Sequence, residues 1–297
     1  PDPASASASA KPVVVFLHIP KTAGQSVHRG MVEALGEAAV SPVRVHSQAE
    51  PGAAQFPPGY RLYSGHIDWD ALDTLPPDRF VFSVLRDPLE RIASFYFYLR
   101  SQAATLDAAE LARPERTGMR RILECSAEDY FFGGDAAWQR FVRDHYDNNY
   151  CAYFATRKLR GRAALDGLPE AEILARALAG VQGIDRVYGI DELDTLEADL
   201  ARVLGRRPRI SGRVVNAGPG ERATPRWPKL RALIPDPEKR ARLEGFAALD
   251  MALMRRLGID PATGKGTGGG PDPETEARAG SGRGRGPGAE PGTGPAS

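Results

Sequence analysis

Two short stretches of the sequence contain residues that bind anions in proteins. The first, HIPKTAGQSVH (residues 18–28), places Lys21 and Gly24 directly after an apolar run. The second, RDPLERIAS (residues 86–94), places an arginine and a serine after another apolar run. A helix N-terminus offers unpaired N–H groups and partial positive charge, and an arginine fork matches phosphate oxygens. Both stretches therefore predict sites for a phosphate-type ligand.

The first stretch predicts a backbone cradle at the start of a helix. Gly24 lets an anion approach the main chain closely, and Lys21 meets its most highly charged oxygen. The residues expected to form the cradle are Lys21, Thr22, Ala23, Gly24, Gln25 and Ser26. An ordinary helix start, with Thr22 as the cap and Lys21 in solvent, is the simpler interpretation of these residues alone. The stretch is not the G-x-x-x-x-G-K-[ST] loop of nucleotide kinases, because its lysine precedes the glycine.

The second stretch predicts another anion site at the end of a strand. Asp87 suits a helix cap and Pro88 suits the first helical position, so Arg86 should stand at the carboxyl end of the preceding strand. Ser94 lies two turns into the helix, and its hydroxyl would complement the guanidinium. The alternative is that Arg86 pairs with a carboxylate and Ser94 faces water.

The surrounding pattern alternates strands with helices. The predicted strands are 13–19, 61–67, 79–85 and 186–190, and the predicted helices are 22–35, 88–100 and segments near 106–124, 136–144, 148–158, 169–180, 191–204 and 238–257. Wholly apolar strands followed by helices predict an α/β protein, a P-loop-like three-layer fold with a central parallel sheet flanked by helices. Ligands of such sheets bind beyond the carboxyl ends of the strands, where both anion-binding stretches lie.

Composition restricts the kind of protein further. The chain has 297 residues and a formal net charge of +1, so no global field attracts nucleic acid or a membrane. The sequence has no run of about eighteen apolar residues that would predict a membrane span, and residues 1–11 lack the apolar core of a secretory signal. We therefore expect a cytoplasmic protein.

Segments 1–11 and 262–297 are expected to be disordered around one domain at 12–261. Cys125 and Cys151 are too few for a thiolate metal site, and they either pair or stay free.

Taken together, the two stretches resemble the cofactor signatures of PAPS-dependent sulfotransferases. The likeness is closest to the carbohydrate class typified by heparan sulfate 2-O-sulfotransferase, and it covers about residues 12–100, with weaker similarity to about 225. It implies that the first stretch binds the 5′-phosphosulfate of PAPS, and that Arg86 and Ser94 bind the 3′-phosphate. Gln25 departs from the family, whose members usually carry threonine or another small hydroxyl residue there. The high Ala, Arg and Gly content indicates a bacterial member.

The resemblance also implies which residues perform the chemistry. Lys21 would neutralise the leaving phosphate oxygen. In the family a Gly-His pair after a comparable strand carries the general base, which indicates His66, and a histidine suits that role near neutral pH. The alternative is a histidine packed by Tyr63 and Trp69. We expect His18 to support the loop and His28 to lie at the surface.

Weaker parts of the resemblance concern the acceptor and the adenosine. Asn148 and Asn149 lie in DNNYCAYFA (147–155), which is similar to the helix that lines the acceptor cleft in the family. Asp68 would orient the base or contact the acceptor, although a solvated loop acid is the simpler interpretation. Arg222 and Thr224 belong to NAGPGERAT (216–224), which is similar to the loop that closes over the adenosine; an ordinary surface loop explains that segment equally well.

The sequence thus predicts a sulfotransferase that moves a sulfuryl group from PAPS to a hydroxyl of a carbohydrate or small-molecule alcohol. PAP would be the product, and no metal would be required. A P-loop-type kinase is one alternative, but Asp87 beside Arg86 is a poor Mg²⁺ ligand. A non-catalytic nucleotide- or glycan-binding module is another, which the presence of both Lys21 and His66 disfavours.

Overall fold

The computed structural model of the protein describes residues 12–211 and 225–266. The predicted disordered segment 1–11 lies outside these ranges, as does most of the predicted C-terminal tail. Two predicted cofactor-binding residues, Arg222 and Thr224, lie outside them as well. Their proposed contacts with the adenosine therefore stay predictions.

Four parallel strands form the central sheet of the described residues. They are β1 (Val13–Leu17), β2 (Leu62–Gly65), β3 (Arg79–Leu85) and β4 (Arg186–Gly189), in the order β2-β1-β3-β4. Val15 of β1 lies opposite Tyr63 of β2 and Val81 of β3. Because all the strand pairs are parallel, the predicted α/β class with a central parallel sheet is confirmed.

Helices surround the sheet. Those of the described residues are α1 (Gly24–Leu35), α2 (Pro88–Ala103), α3 (Ala108–Leu111), α4 (Thr117–Glu124), α5 (Ala127–Phe132), α6 (Ala136–Tyr146), α7 (Asn149–Thr156), α8 (Glu170–Val181), α9 (Leu193–Leu204), α10 (Trp227–Ala232), α11 (Pro237–Gly245) and α12 (Ala248–Arg256). α1 follows β1 and α2 follows β3 after short loops, as the sequence predicts. The starts of both helices are therefore held at the carboxyl edge of the sheet.

Alternate side chains of β1 pack on opposite faces of the sheet, as the strand geometry requires. Val14 and Phe16 join a buried cluster that α1 and α9 complete, with Met31 among its members. Val15 and Leu17 join another cluster, which α7, α8 and α12 complete. Helices thus cover both faces, which gives the expected three layers.

A third apolar cluster connects α2 to helices beyond the sheet. Ile92, Ala93 and Tyr96 of α2 pack there with residues of α4, α5, α6, α10 and α11. Leu89 and Leu99 are partly buried against the same cluster, so one apolar face of α2 packs there. The packing holds α2 along its length and with it the residues that α2 presents on its other side.

The predicted helix at 238–257 is two helices, α11 and α12. The helix is interrupted between them because Asn148 bonds to main-chain groups that a continuous helix would pair internally. The Asn148 amide donates to the carbonyl oxygen of Phe246 at 2.6 Å, and its Oδ1 accepts from the Leu249 amide at 2.8 Å.

The predicted helix at 106–124 is also interrupted. α3 ends before Pro114, which has no N–H to donate and disfavours helix at the residue before it, and α4 begins at Thr117. No prediction covers α5, although Ser126 and Asp129 have the spacing of a helix start: the Ser126 Oγ accepts from the Asp129 amide at 3.0 Å. No prediction covers the short α10 either.

Cys125 and Cys151 are both free thiols, which settles the alternative that the sequence leaves open. Cys151 is buried on α7, and this burial raises the pKa of its thiol. A thiol in such surroundings behaves as a small apolar side chain.

The described chain continues a short way into the predicted tail. Residues 262–266 form a turn in which Ile259 pairs with Gly266 as an antiparallel bridge. The turn packs on the end of β4 so closely that a Cβ added at Gly189 would lie 1.8 Å from the Gly264 carbonyl oxygen.

Candidate active site

A cavity of about 1400 Å³ opens at the carboxyl ends of the strands. The residue that directly follows each strand lines it. These residues are His18 after β1, His66 after β2, Arg86 after β3 and Ile190 after β4. The cavity therefore occupies the position at which a parallel α/β sheet binds its ligand.

The lining of the cavity is strongly cationic, although the chain as a whole is nearly neutral. Of the described residues that line it, seven are lysine or arginine and one, Asp144, is acidic. The cationic residues are Lys21, Arg29, Arg86, Arg100, Arg160, Arg226 and Lys229. This local excess of positive charge favours an anionic ligand.

The loop between β1 and α1 has a strained backbone. Four non-glycine residues of the described chain have positive φ, and two of them, Lys21 (73°) and Ala23 (67°), lie in this loop. Such conformations are costly for residues with a Cβ and persist where the surrounding structure enforces them, often at functional sites. Among the described residues no side chain caps α1, and its first turn contains no acidic residue. The positive end of α1 is thus available to an anion in the cavity.

Two predicted cradle residues do not present their hydroxyls to the cavity. α1 begins at Gly24 instead of the predicted Thr22, and Thr22 is fully buried with its Oγ1 donating to the Ile19 carbonyl oxygen at 2.9 Å. Ser26 is also buried and is not part of the lining. The members of the predicted cradle that line the cavity are Lys21, Ala23, Gly24 and Gln25. The cradle is therefore built more from the backbone than from hydroxyl groups.

Gly24 is needed for a reason that the sequence does not reveal. A Cβ added at this position would lie 1.7 Å from Nε2 of His18. The His18 ring stacks on Phe16 with 5.1 Å between centroids, and it lies 4.2 Å from the ring of His66. The glycine thus makes room for an imidazole that supports the loop, which is the role expected for His18.

Lys21 lies among other cations. Its Nζ is 3.9 Å from the centroid of the Tyr98 ring, and its carbonyl oxygen accepts from Nη1 of Arg86 at 3.4 Å. Burial lowers the pKa of Lys21 to about 8, and the charges of Arg226 and Arg86 act in the same direction. An anion that enters the cavity would raise the pKa of this lysine again and so favour its charged form.

Arg86 and Ser94 line the same cavity as Lys21. Nη2 of Arg86 lies 3.7 Å from Oε2 of Glu90, so the alternative that Arg86 pairs with a carboxylate is present only as a long contact. Ser94 is 6% exposed, and the alternative that it simply faces water is wrong. The fold therefore brings the two predicted anion-binding stretches to one cavity, while their contacts with a cofactor stay predictions.

His66 has the proton arrangement of a general base. Its Nδ1 lies 2.8 Å from the His18 carbonyl oxygen. A carbonyl oxygen can only accept, so Nδ1 carries the proton and Nε2 keeps its lone pair. Burial lowers the pKa of His66, against an opposing effect of this hydrogen bond, and nearby Arg44 and Lys21 lower it further. His66 is therefore neutral near neutral pH, as a base must be before it accepts a proton.

His28 is half-buried, so the prediction that it lies at the surface is wrong. Its Nδ1 lies 3.1 Å from Oγ of Ser64, and its Nε2 contacts Nη1 of Arg44. Burial lowers the pKa of His28 to about 4, so that it stays neutral beside the arginine. The cluster ties α1 to β2 next to His66, whose amide donates to the Arg44 carbonyl at 2.8 Å.

Of the three residues predicted to meet the acceptor, one lines the cavity. The Asp68 carboxylate accepts from the Leu159 amide at 2.9 Å, and Asn148 caps α12; neither is part of the lining. Both side chains bond to main-chain groups of distant segments and so hold the fold together, while their contacts with an acceptor stay predictions. Asn149 is part of the lining, and its Nδ2 donates to the Asp144 carbonyl oxygen at 3.0 Å.

Some residues at the cavity are missed by the sequence predictions. They are Tyr98, Arg160 and Arg226, together with Tyr150, which holds the backbone of Arg86. Tyr98 has a usable signal, since it lies one helical turn beyond Ser94 on α2. Arg160 and Arg226 come from loops without a motif, and the tertiary fold alone brings them to the cavity.

The fold and the cavity define an α/β protein with a cationic cavity at the carboxyl edge of its sheet. A family model described as "Sulfotransferase family" matches residues 7–150, just under half of the chain. No curated protein matches the chain significantly.

Two solved structures are similar to the chain at low identity. The sulfotransferase from Alicyclobacillus acidocaldarius has a TM-score of 0.39 and 17% identity, with 83% of this chain and 97% of that chain covered. The mouse sulfotransferase SULT7A1 complexed with PAP has a TM-score of 0.31 and 13% identity, with 83% of this chain and 86% of that chain covered. Both TM-scores are below 0.5, so we assign the fold from the sheet itself.

Residues 12–211 and 225–266 contain no group of three or more His, Cys, Asp or Glu side chains arranged to hold a metal ion. None of the helices that they form is both long enough and apolar enough to cross a membrane.

Proposed function

We propose that the protein is a sulfotransferase that moves a sulfuryl group from PAPS to a hydroxyl group of a carbohydrate or small-molecule alcohol. The observation that carries the proposal is that Lys21, Arg86 and Ser94 line one cationic cavity together with a neutral histidine, His66. The match of residues 7–150 to the sulfotransferase family supports it. The assignment to the carbohydrate class rests on the resemblance of the two signature stretches alone.

The donors around the cavity fit the charges of PAPS. The uncapped start of α1 and the ammonium of Lys21 suit the 5′-phosphosulfate. The guanidinium of Arg86 and the hydroxyl of Ser94 suit the 3′-phosphate. ATP has no 3′-phosphate, so two separate anion-binding groups favour PAPS over ATP.

His66 and Lys21 would have separate roles in the reaction: His66 accepts a proton, and Lys21 stabilises a developing negative charge. When bound, PAPS supplies a sulfuryl group, whose bond to the 5′-phosphate breaks as the bond to the acceptor oxygen forms. His66 would accept the acceptor's hydroxyl proton at Nε2, while its Nδ1–H stays on the carbonyl of His18. Lys21 would stabilise the negative charge that develops on the leaving phosphate oxygen.

The acceptor would enter on the side of the cavity beyond His66. The His46 amide donates to the His66 carbonyl oxygen at 2.6 Å, so the segment that carries His46 lies directly beside His66. His46, Asn149 and Arg160 all line this cavity. Its volume of about 1400 Å³ exceeds the few hundred to about 1,000 Å³ typical of a site for one small ligand, which leaves room for an acceptor beside the nucleotide.

Isothermal titration calorimetry with PAP and with ATP plus Mg²⁺ tests the proposed cofactor. We expect PAP to bind at least about tenfold more tightly, because one charge-assisted phosphate contact is worth roughly that much. Equal affinity, or a preference for ATP with Mg²⁺, would support the kinase alternative and refute the proposal. Tight PAP binding without transfer of labelled sulfate to any alcohol or glycan would identify a binding module instead.

Single substitutions separate the two chemical roles. Lys21→Ala should lower sulfuryl transfer by about a hundredfold or more, as the loss of a charge-stabilising group typically does. His66→Ala should keep PAP binding and lose transfer, and a loss of binding would show that His66 is structural. Lys239→Ala is a matched control, since this lysine pairs with Glu128 and does not line the cavity.

A further inference from the structure

The ammonium group of Lys21 rests on the face of an aromatic ring. Its Nζ lies 3.9 Å from the centroid of Tyr98, well within the distance at which a cation is attracted to the ring quadrupole. Among the described residues, Lys21 forms no ion pair with a carboxylate. Tyr98 is 39% exposed, which is unusual here for so large a side chain, and it lines the same cavity.

The charged groups near Lys21 are mostly cations, which disfavour its charged form. Arg86 and Arg226 both lower the pKa of Lys21, and Lys229 lines the same cavity. Glu90 is the carboxylate that adjoins the two arginines. Its Oε2 accepts from the main-chain amide of Arg226 at 3.0 Å and lies 3.7 Å from Nη2 of Arg86.

Burial lowers the pKa of the four histidines that line the cavity, His18, His46, His66 and His145, so they add no positive charge to it near neutral pH. Asp144, the acidic residue of the described lining, accepts from the Arg162 amide at 3.2 Å. The electron-rich face of Tyr98 contacts Lys21 directly and favours its charged form before an anion arrives.

The position of Tyr98 is fixed by the helix that also carries Ser94. The two residues are four apart on α2, so they lie on one face of the helix and one turn from each other. α2 begins directly after Arg86 with Asp87 as its cap, whose Oδ1 accepts from the Leu89 amide at 2.8 Å. One rigid element therefore places the arginine, the serine and the tyrosine relative to one another.

We propose that Tyr98 is a positioning residue for Lys21: its ring holds the ammonium charged and at the cavity until the anionic ligand is bound. The inference rests on the proposed role of Lys21 in sulfuryl transfer. It assigns no contact between Tyr98 and the reacting atoms. The ring acts through the lysine, and the phenolic hydroxyl is not needed for this effect.

Nuclear magnetic resonance of ¹³C-labelled lysine tests the proposal without any activity measurement. The chain has six lysines, so the signals are few, and Lys21→Arg identifies the signal of Lys21 by its loss. In Tyr98→Leu we expect the midpoint of the Lys21 titration to move to lower pH by about half a unit, the worth of an exposed cation–π contact. Tyr98→Phe should restore the wild-type midpoint.

The matched control for the titration is a substitution of a neighbouring aromatic residue. Phe97→Leu removes an aromatic side chain from the same helix and the same cavity without touching Lys21, and it should leave the midpoint unchanged. An unchanged midpoint in Tyr98→Leu, or a Tyr98→Phe variant that behaves like Tyr98→Leu, would overturn the proposal.

PAP binding, measured by calorimetry on the same proteins, keeps this inference separate from the proposed function. Tyr98→Leu should weaken PAP binding about two- to fivefold, with the loss greatest above pH 8, where a smaller fraction of Lys21 is charged. If wild-type protein fails to bind PAP, the proposed function fails, while the titration of Lys21 still decides the role of Tyr98.

Discussion

The hydroxyl of Tyr150 holds the main chain of Arg86 from two sides. It donates to the Arg86 carbonyl oxygen at 3.0 Å and accepts from the Arg86 amide at 3.4 Å. Tyr150 is fully buried on α7, and burial raises the pKa of its phenol. A helix on one face of the sheet therefore fixes the point from which the Arg86 guanidinium extends into the cavity.

Tyr150→Phe should weaken PAP binding about tenfold, because it leaves both main-chain groups of Arg86 without this partner and loosens the arginine. The free energy of unfolding should fall by about 1–2 kcal/mol. Calorimetry and chemical denaturation measure the two effects. Tyr153→Phe is the matched control: this buried hydroxyl on the same helix donates to the Ile67 carbonyl at 2.8 Å. An equal loss of PAP affinity in both variants would contradict a specific role of Tyr150.

Asn148 and Asp250 cap each other's helices. Oδ1 of Asn148 accepts from the Leu249 amide of α12, and the Asp250 carboxylate accepts from the amides of Tyr150 (3.0 Å) and Cys151 (2.9 Å) in α7. Each substitution to alanine should cost about 1–3 kcal/mol of unfolding free energy, since buried N–H groups lose their acceptors. Because both residues stabilise one helix junction, the double variant should lose less than the sum of the single losses in urea denaturation. Additive losses would show that the two caps are independent.

Gly24→Ala should lower sulfuryl transfer by about a hundredfold while the protein remains folded. The new Cβ would lie 1.7 Å from Nε2 of His18, so the imidazole must move, and the carbonyl of His18 holds the proton-bearing nitrogen of His66. A displacement of about 1 Å at a reacting group has this order of effect. Gly245→Ala serves as the control, because a Cβ there meets nothing within 4 Å. Full activity of the Gly24 variant would show that the loop tolerates the shift.

The pH dependence of kcat/KM should be bell-shaped. On the acid side, activity falls as His66 becomes protonated, and burial places this limb below the ordinary pKa of histidine, 6.5. On the alkaline side, activity falls above about pH 8, where free Lys21 loses its charge. The alkaline limb of kcat should lie at higher pH, because a bound anion raises the pKa of Lys21. Lys21→Arg should remove the alkaline limb, since arginine stays charged; an unchanged limb would exclude Lys21 as its source.

The sequence by itself determined the elements that carry the chemistry. Apolar runs followed by helical patterns predict a parallel sheet, and local spacing places Lys21, His66 and Arg86 directly at or near the ends of its strands. Because the carboxyl ends of parallel strands share one edge, these residues had to come together in one region. The fold class and the positions of these three residues at strand ends can therefore be predicted from local sequence patterns.

Only the tertiary structure decided which polar side chains face the cavity. The Asp68 carboxylate accepts from the Leu159 amide, 91 positions further along the chain, and Asn148 caps a helix that begins about one hundred residues later. Tyr150 bonds to Arg86 across 64 positions of sequence. A hydrogen bond between distant segments depends on how whole elements pack, and no local period or motif records it. The cation–π contact of Lys21 with Tyr98 belongs to the same class, since it depends on where α2 lies relative to the loop after β1.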